Sequence, residues 1–452
     1  MPPTLPAALG PATPETPARP AIPDFDVVLT VRNPQRPGMI GRFLTVVGDR
    51  GALVGDIETV FVGRDHFLRN VGLTVYDEAH LETLLAAVRE ETESEVVDVK
   101  DVVFERHLGG KIRMGRTTPV EGLDDLRTLY TPGVARVCRA IHAEPALARR
   151  YTAVAQTVGI FTNGTRVLGL GDIGPLASLP VMEGKAALYD RFVGLSAIPI
   201  LVDTKDPEEF VDTVCRVAPT FGGIHLEDIR TPDCFWIEDE LVRRLPQPVM
   251  HDDQHGTATV LLAAVLSALR LTDQPGRRDL VCVQVGLGAA GLAIAKLLLH
   301  AGFPVVGVDP SAEARERLER AGGQTSADLA SAAALADILI ATTGVVGLIT
   351  PDMIRPRQLV LALSNPVPEI TPAAALAAGA AFAADGRSVN NALAFPGLFK
   401  AALDVGAGAI TAAMKVAAAH AISDLASPGE LVPSPFHPRV HVDVIEAVRR
   451  AA

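Results

Sequence analysis

From Phe25 to Arg32 apolar and polar side chains alternate (Phe25-Asp-Val-Val-Leu-Thr-Val-Arg32), the period of a half-buried strand. Asn33-Pro-Gln-Arg-Pro-Gly38 breaks that pattern as a turn. Met39, Ile40, Phe43, Leu44 and Val47 then recur at helical spacing, which predicts a helix over Met39–Arg50. Leu53–Val62 and Phe67–Tyr76 read as strands, with Gly63-Arg-Asp-His66 as the hairpin turn between them. Asp77 can cap a helix running from about Glu78 to Glu90. A last strand is expected over Val96–Glu105. The order βαββαβ predicts a ferredoxin-like split βαβ.

Beyond it the period changes. Lys111 to about Thr272 mixes helices and strands, and Val260–Leu269 reads as a buried helix. Gln274-Pro-Gly-Arg-Arg278 reads as a linker. A strand over Leu280–Val285 opens a regular α/β alternation that lasts to about Ala383, and helices finish the chain. The pattern predicts an α/β protein in three folded parts, 24–108, 109–273 and 274–452. The third carries a Rossmann-type parallel sheet. Residues 1–23 hold eight prolines and are expected to be a disordered arm.

Composition narrows the picture. The 452 residues are 48% hydrophobic and only 4% aromatic, so the core must be built from Ala, Val, Leu and Ile. A net charge of −12 argues against a nucleic-acid partner, because an acidic surface repels phosphates. Cys138, Cys215, Cys234 and Cys282 are scattered without a CxxC pair, which fits a reducing cytoplasm. The start of the chain shows no basic segment followed by an apolar run, so no secretory signal is expected. No apolar run is long enough to span a bilayer, so no membrane partner is expected.

Two GxGxxG motifs occur, and their contexts differ. Gly169-Leu-Gly171-Asp-Ile-Gly174 follows a short strand, Arg166–Leu168, but Pro175 comes next and no long amphipathic helix is expected there. It reads as a tight turn that brings backbone close to another group. Gly286-Leu-Gly288-Ala-Ala-Gly291 stands between the strand Leu280–Val285 and a helix, Leu292–His300. A second strand, Pro304–Val308, ends at Asp309. That is a full dinucleotide-binding context: the glycines admit the pyrophosphate and the helix N-terminus faces its charge. Gly286, Leu287, Gly288, Ala289, Ala290 and Gly291 are therefore cofactor candidates. Asp309 would accept from the ribose 2′-hydroxyl and repel a 2′-phosphate, favouring NAD. Ser311, Arg315 and Arg317 close behind it leave NADP open.

Acids form the other signal. Gly223-Ile-His-Leu-Glu227-Asp228 ends an apolar strand with two carboxylates, and His251-Asp252-Asp253-Gln-His-Gly256 precedes an expected helix over Thr257–Leu271 with two more. Neighbours in a strand face opposite ways, so both acids of a pair converge only where the chain turns. Three such carboxylates, without thiolates, suit Mg²⁺ or Mn²⁺. Helix capping accounts for one acid before Thr257, not for both.

Taken together, these pieces resemble the malic enzyme family over roughly residues 110–440. The resemblance rests on Leu129-Tyr-Thr-Pro-Gly-Val134, Arg166-Val-Leu-Gly-Leu-Gly-Asp172, Val181-Met-Glu-Gly-Lys185 and Leu226-Glu-Asp228. It continues through His251-Asp-Asp-Gln-His-Gly-Thr257, Leu363-Ser-Asn-Pro366 and Asn390-Asn-Ala-Leu-Ala-Phe-Pro-Gly397. It implies that 109–273 is a substrate and metal domain and that Tyr130 is the general acid. Lys185 would be the general base, with a lowered pKa. Glu227, Asp228 and Asp253 would hold the metal. Arg166 would grip a substrate carboxylate, and Asn365 and Asn390 would line the substrate and nicotinamide region. The implied reaction is metal-dependent oxidative decarboxylation of L-malate to pyruvate with NAD or NADP, in a homodimer or homotetramer. The segment 24–108 resembles an ACT domain in its first strand, its Arg36-Pro37-Gly38 turn and the helix directly after it. That resemblance implies a small effector bound at a strand-paired interface; the alternative is an oligomerisation module with no ligand. Malolactic chemistry, plain malate dehydrogenation and a non-catalytic metabolite sensor remain the rival functions. Retention of Tyr130, Lys185 and the metal carboxylates speaks against the sensor. The phosphotransacetylase-like tail of some bacterial relatives is not expected after Ala452.

Overall fold

A computed structural model describes residues 23–452 apart from Leu168, Asn365, Pro366 and the side chain of Ser388. The proline-rich arm expected over 1–23 therefore lies, except for Pro23, outside the described residues, and so does Asn365. The chain divides into two compact units, Met1–Lys111 and Ile112–Ala452.

The first unit has the predicted element order. It runs β1 (Phe25–Pro34), α1 (Met39–Asp49), β2 (Leu53–Val62), β3 (His66–Val75), α2 (Glu78–Glu91) and β4 (Glu95–Asp101). The antiparallel sheet is ordered β2-β3-β1-β4. Alternation decides its inner face: Val27, Leu29 and Val31 of β1 are buried against Phe43, Val47, Leu84 and Val88 of the helices. The Asp77 side chain accepts from the His80 amide and caps α2. The expected last strand ends early, at Asp101. Its carboxylate accepts from the amides of Val103 and Phe104 and starts a short helix, α3 (Val102–His107).

The second unit begins with α4 (Leu123–Leu129), α5 (Val134–Ala143) and α6 (Ala148–Tyr151). A first sheet follows: β5 (Thr157–Thr162), α7 (Pro175–Val193), β6 (Ser196–Leu201), α8 (Pro207–Val217), β7 (Gly223–Leu226), α9 (Asp233–Arg244) and β8 (Val249–His251). Its strands are all parallel, in the order β6-β5-β7-β8. Helix α10 (Asp252–Leu271) leads into the second sheet: β9 (Cys282–Val285), α11 (Ala289–His300), β10 (Val305–Val308), α12 (Ala312–Arg320), β11 (Gln324–Ser326), α13 (Leu329–Ala333), β12 (Ile338–Ala341), β13 (Leu359–Ala362), α14 (Pro372–Ala377) and β14 (Phe382–Asp385). This sheet is also parallel, ordered β11-β10-β9-β12-β13-β14, so the strand order reverses between β9 and β12. That is the Rossmann arrangement, with its crevice at the reversal. Helices α15 (Phe395–Val405), α16 (Ala412–Asp424) and α17 (Val440–Arg450) close the chain.

Three expectations need correction. Gly174 is followed by a long helix after all: α7 starts at Pro175, because proline fits the first helical position, where its missing N–H costs nothing. The short strand expected at Arg166 is only an isolated bridge between Val167 and Gly171. Helix α10 starts at Asp252, not Thr257, with His251 at its N-cap position, so both acids sit in the first turn, where the helix dipole favours negative charge. The C-terminal helices, grouped above with the Rossmann part, also return to the first sheet. α15 packs on α7, and α16 packs on α10 and α11. The expected buried helix Val260–Leu269 lies within α10 with every residue buried.

Candidate active site

The carboxyl ends of β7 and β8 sit side by side, since Leu226 pairs with His251. After Leu226 the chain must turn sharply if Glu227 and Asp228 are to reach the same place. It does so at Asp228, whose φ of 55° is left-handed, a conformation that Asp tolerates better than most side chains. The Asp228 amide then donates to Asp253 Oδ2 at 3.0 Å. Glu227, Asp228 and Asp253 offer oxygen atoms that all lie within 4.8 Å of one another. The predicted metal residues thus converge, and the all-oxygen donor set fits a hard divalent cation.

Lys185 comes from α7, directly behind β5. Its ammonium lies 2.9 Å from Glu227 Oε1 and forms a second, shorter ion pair with Asp252. It also lies 4.9 Å from the Phe395 ring centroid. Burial pulls the Lys185 pKa down most strongly, but Asp252, Glu227 and Asp253 together outweigh it and hold the ammonium above its ordinary range. This corrects the expected lowering. Counted with Asp228, four carboxylates face a single ammonium, so the site carries excess negative charge. Burial, with the charge of Glu227 beside it, raises Asp252 to about 6 against the lowering pull of Lys185, and burial likewise raises Glu227.

Behind Glu227 runs a buried relay. Tyr189 OH lies 2.9 Å from His225 Nδ1, and His225 Nε2 lies 2.7 Å from Glu227 Oε2. Burial lowers the His225 pKa to about 3, so the ring is neutral. A neutral ring beside a carboxylate carries its proton on Nε2 and accepts the tyrosine proton on Nδ1. Glu227 is thereby held from both sides, by His225 and by Lys185. Phe395 and Phe399 of α15 pack edge-on against Tyr189.

The start of α10 has its own support. Glu238 of α9 accepts from the His251 amide at 2.8 Å, from Gln254 Nε2 at 2.8 Å and sits 3.0 Å from His255 Nε2. Gly256 lies one turn beyond Asp252, where any Cβ would collide with Asp252 Oδ1.

The dinucleotide turn lies at the strand-order reversal. Gly286 has a φ of 85°, and a Cβ on Gly291 would stand 1.9 Å from the Gly286 carbonyl oxygen, so helix α11 fits against the turn only with glycine there. Asp309 Oδ2 accepts from the Leu287 amide at 2.8 Å and Oδ1 accepts from the Ser311 amide at 2.8 Å. Arg315 turns back onto the carbonyls of Asp309 and Pro310.

Other expected site residues stand apart. Tyr130, at the end of α4, is 67% exposed, and its side chain touches none of the groups above. The Arg166 amide bonds to the Asp228 carbonyl at 3.1 Å, and its side chain is exposed. Asn390 Oδ1 caps its own turn by accepting from Ala392. The next residue reaches the cluster instead: Asn391 Nδ2 donates to Asp252 Oδ2 at 2.6 Å. Asn391, Tyr189, His225 and Phe395 were not singled out from the sequence, and Asp252 was named among the acids without a role. His225 could have been, because it shares a strand face with Glu227 two residues on.

A family model for the malic enzyme N-terminal domain matches residues 110–242. The chain is 49% identical over 426 residues to NAD-dependent malic enzyme 1 of Bacillus subtilis (strain 168), covering 94% of this chain and 97% of that one. That alignment is longer than the second unit and so reaches into the first. The chain is 40% identical to an NAD-dependent malic enzyme of Geobacillus stearothermophilus, over 90% of each chain. A solved malic enzyme from Pyrococcus horikoshii Ot3 superposes with a TM-score of 0.72 at 38% identity, over 77% of this chain and 89% of that one. With these likenesses added to the converged carboxylates, the buried lysine and the Rossmann crevice, the chain belongs to the malic enzyme family.

Proposed function

We propose that the chain oxidatively decarboxylates L-malate to pyruvate and CO₂ while reducing NAD. One observation carries the reading: a buried lysine lies within hydrogen-bond distance of a carboxylate belonging to a three-residue oxygen cluster at the strand ends. Glu227, Asp228 and Asp253 would hold Mg²⁺ or Mn²⁺. When bound, the ion supplies positive charge that offsets these acids and polarises the C2 oxygen and a carboxylate of malate. Offsetting Glu227 and Asp253 would remove two of the three acids that hold Lys185 charged and leave Asp252, while burial favours the neutral amine. Lys185 takes the C2 hydroxyl proton while hydride leaves C2 for the nicotinamide. The bond from C3 to its carboxylate then breaks and CO₂ departs. Tyr130 returns a proton to C3, so pyruvate and NADH result.

Membership of the family supports turnover, and the two relatives named for NAD support that cofactor. The Gly286–Gly291 turn would carry the pyrophosphate. Asp309 at its mouth supports NAD over NADP, since a carboxylate there repels a 2′-phosphate. We assign Arg166 to a substrate carboxylate and Asn365 and Asn390 to the substrate and nicotinamide region on the motif resemblance. The Phe25–Asp101 fold is read as an ACT-like regulatory module for a small effector. Its split βαβ order and the long exposed edge strand β2 support that reading. A homodimer or homotetramer in the cytoplasm completes the proposal. Among the described residues, no helix is long and apolar enough to cross a membrane.

The test combines purified protein, L-malate and NAD, with and without Mn²⁺, and scores NADH and pyruvate. Equal amounts of both, only with metal, are expected. Lactate without NADH would mean malolactic chemistry, and NADH with oxaloacetate in place of pyruvate would mean a plain dehydrogenase.

A further inference from the structure

We infer that Glu369 clamps the two loops under the nicotinamide half of the crevice and, by its buried negative charge, favours the oxidised, positively charged ring over the reduced one. The inference rests on the reading of the Rossmann crevice as the NAD site. Placement comes first. The strand order reverses between β9 and β12. Asp309, at the end of β10, marks the adenine-ribose side, and Gly286–Gly291, after β9, marks the pyrophosphate. The other half of a dinucleotide laid across the reversal then falls over the loops that follow β12 and β13. Thr343 lies in the first of these loops and stands against the dinucleotide turn, since a Cβ on Gly286 would come within 3.0 Å of its methyl group. Ser364 lies in the second, next to Asn365.

Glu369 joins these loops through one oxygen. Its Oε1 accepts from the Thr343 amide at 2.5 Å, from Thr343 Oγ1 at 2.8 Å and from Ser364 Oγ at 2.6 Å. Ser364 Oγ in turn accepts from the Gly344 amide at 2.8 Å. The Ile349 amide donates to the Glu369 carbonyl at 3.3 Å and anchors its backbone. The second oxygen, Oε2, has no hydrogen-bond partner, and the residue is fully buried. Burial raises the Glu369 pKa, but hydrogen bonds from Ser364, Thr343 and its own backbone outweigh burial and keep the side chain an anion. The groups that hold it ionised are thus hydrogen-bond donors and not cations. A clamp needs acceptors but no charge, and a buried charge without a countercharge is costly. A positive ring laid over the two loops supplies that countercharge. NAD carries one there and NADH does not.

The experiment measures equilibrium binding of NAD and of NADH to the full chain by calorimetry, without malate. The wild type is expected to bind both. A wild type that binds neither would refute the reading of the crevice itself, before any variant is made. Glu369→Gln keeps an acceptor and removes the charge. Its NAD binding is expected to weaken about tenfold while NADH binding stays within about twofold. Ser364→Ala keeps the charge and removes one arm of the clamp. It is expected to weaken NAD and NADH by the same factor, about fivefold, so their ratio stays that of the wild type. A purely structural role for Glu369 would move both ligands together in both variants. Equal losses in Glu369→Gln, or no loss at all, would therefore overturn the inference, and so would wild-type binding by Ser364→Ala. Should Glu369→Gln fail to fold in a thermal melt, the wild type decides the charge. It is expected to bind NAD at least as tightly as NADH, and tighter binding of NADH would count against the inference.

Discussion

The Asp228 amide donates to Asp253 Oδ2 at 3.0 Å, which ties the end of β7 to the first turn of α10. One bond thus fixes the separation of two loops that each carry metal-candidate oxygens. Asp253 both accepts this bond and offers a ligand. In Asp253→Asn the amide can still accept from Asp228, but the charge is gone. The Mn²⁺ concentration for half-maximal activity is expected to rise about 10²-fold with the fold intact. A Mn²⁺ titration of activity checks this. An unchanged midpoint would remove Asp253 from the ligand set.

The Tyr189–His225–Glu227 relay is buried throughout, so cutting it leaves a ring nitrogen unsatisfied. Tyr189→Phe keeps the packing against Phe395 and removes only the hydroxyl. Stability is expected to fall by about 1–3 kcal/mol. Metal affinity should fall about tenfold as Glu227 loosens. Thermal melts and Mn²⁺ titration read the two effects separately. A variant with wild-type melting and metal affinity would show that the relay orients nothing.

Gly291 faces the Gly286 carbonyl with no room for a methyl group. Gly291→Ala must push α11 away from the turn. The KM for NAD is expected to rise about 10²-fold, the effect of a misplacement near 1 Å. The KM for malate should move far less. Steady-state kinetics with each substrate varied in turn decides it, and equal rises in both would count against a local effect on the turn.

Glu238 supplies a pH dependence of stability. Burial raises its pKa, but His255 by charge and hydrogen bond, His251 and Lys415 outweigh burial and bring it down to about 2 from an ordinary 4.5. A depressed folded-state pKa stabilises the fold above the unfolded value. That contribution is present above pH ~4.5 and is lost as pH falls toward ~2. It is of order 3 kcal/mol. Glu238→Gln is expected to lower stability at pH 7 and to flatten the acid-unfolding curve between these limits. Denaturant melts across that range check it, and an unchanged slope would contradict the assignment.

Much of the site could be read from local pattern. The βαβ context of Gly286–Gly291 and the position of Asp309 depend on residues near one another in sequence, where period and turn chemistry suffice. The pairing of Glu227 with Asp228 was legible for the same reason, since two adjacent acids converge only at a turn. The helix after Gly174 was not, because a proline both breaks helices and starts them, and here Pro175 starts one. The start of α10 was also missed. Its boundary is held by Glu238, a residue from another element.

The sequence by itself determined the α/β class, the split βαβ order of the first unit, the dinucleotide turn and the set of acids from which a metal site could be drawn. These follow from spacing along the chain. Tertiary structure alone decided which partners meet. Asp252 pairs with Lys185 instead of joining the Glu227–Asp228–Asp253 group, and Asn391, not Asn390, bonds to it across 139 positions of chain. Tyr130 stands in solvent while Lys185 is buried among acids that keep it charged. Such contacts depend on how helices pack over two sheets, and no local period encodes that packing.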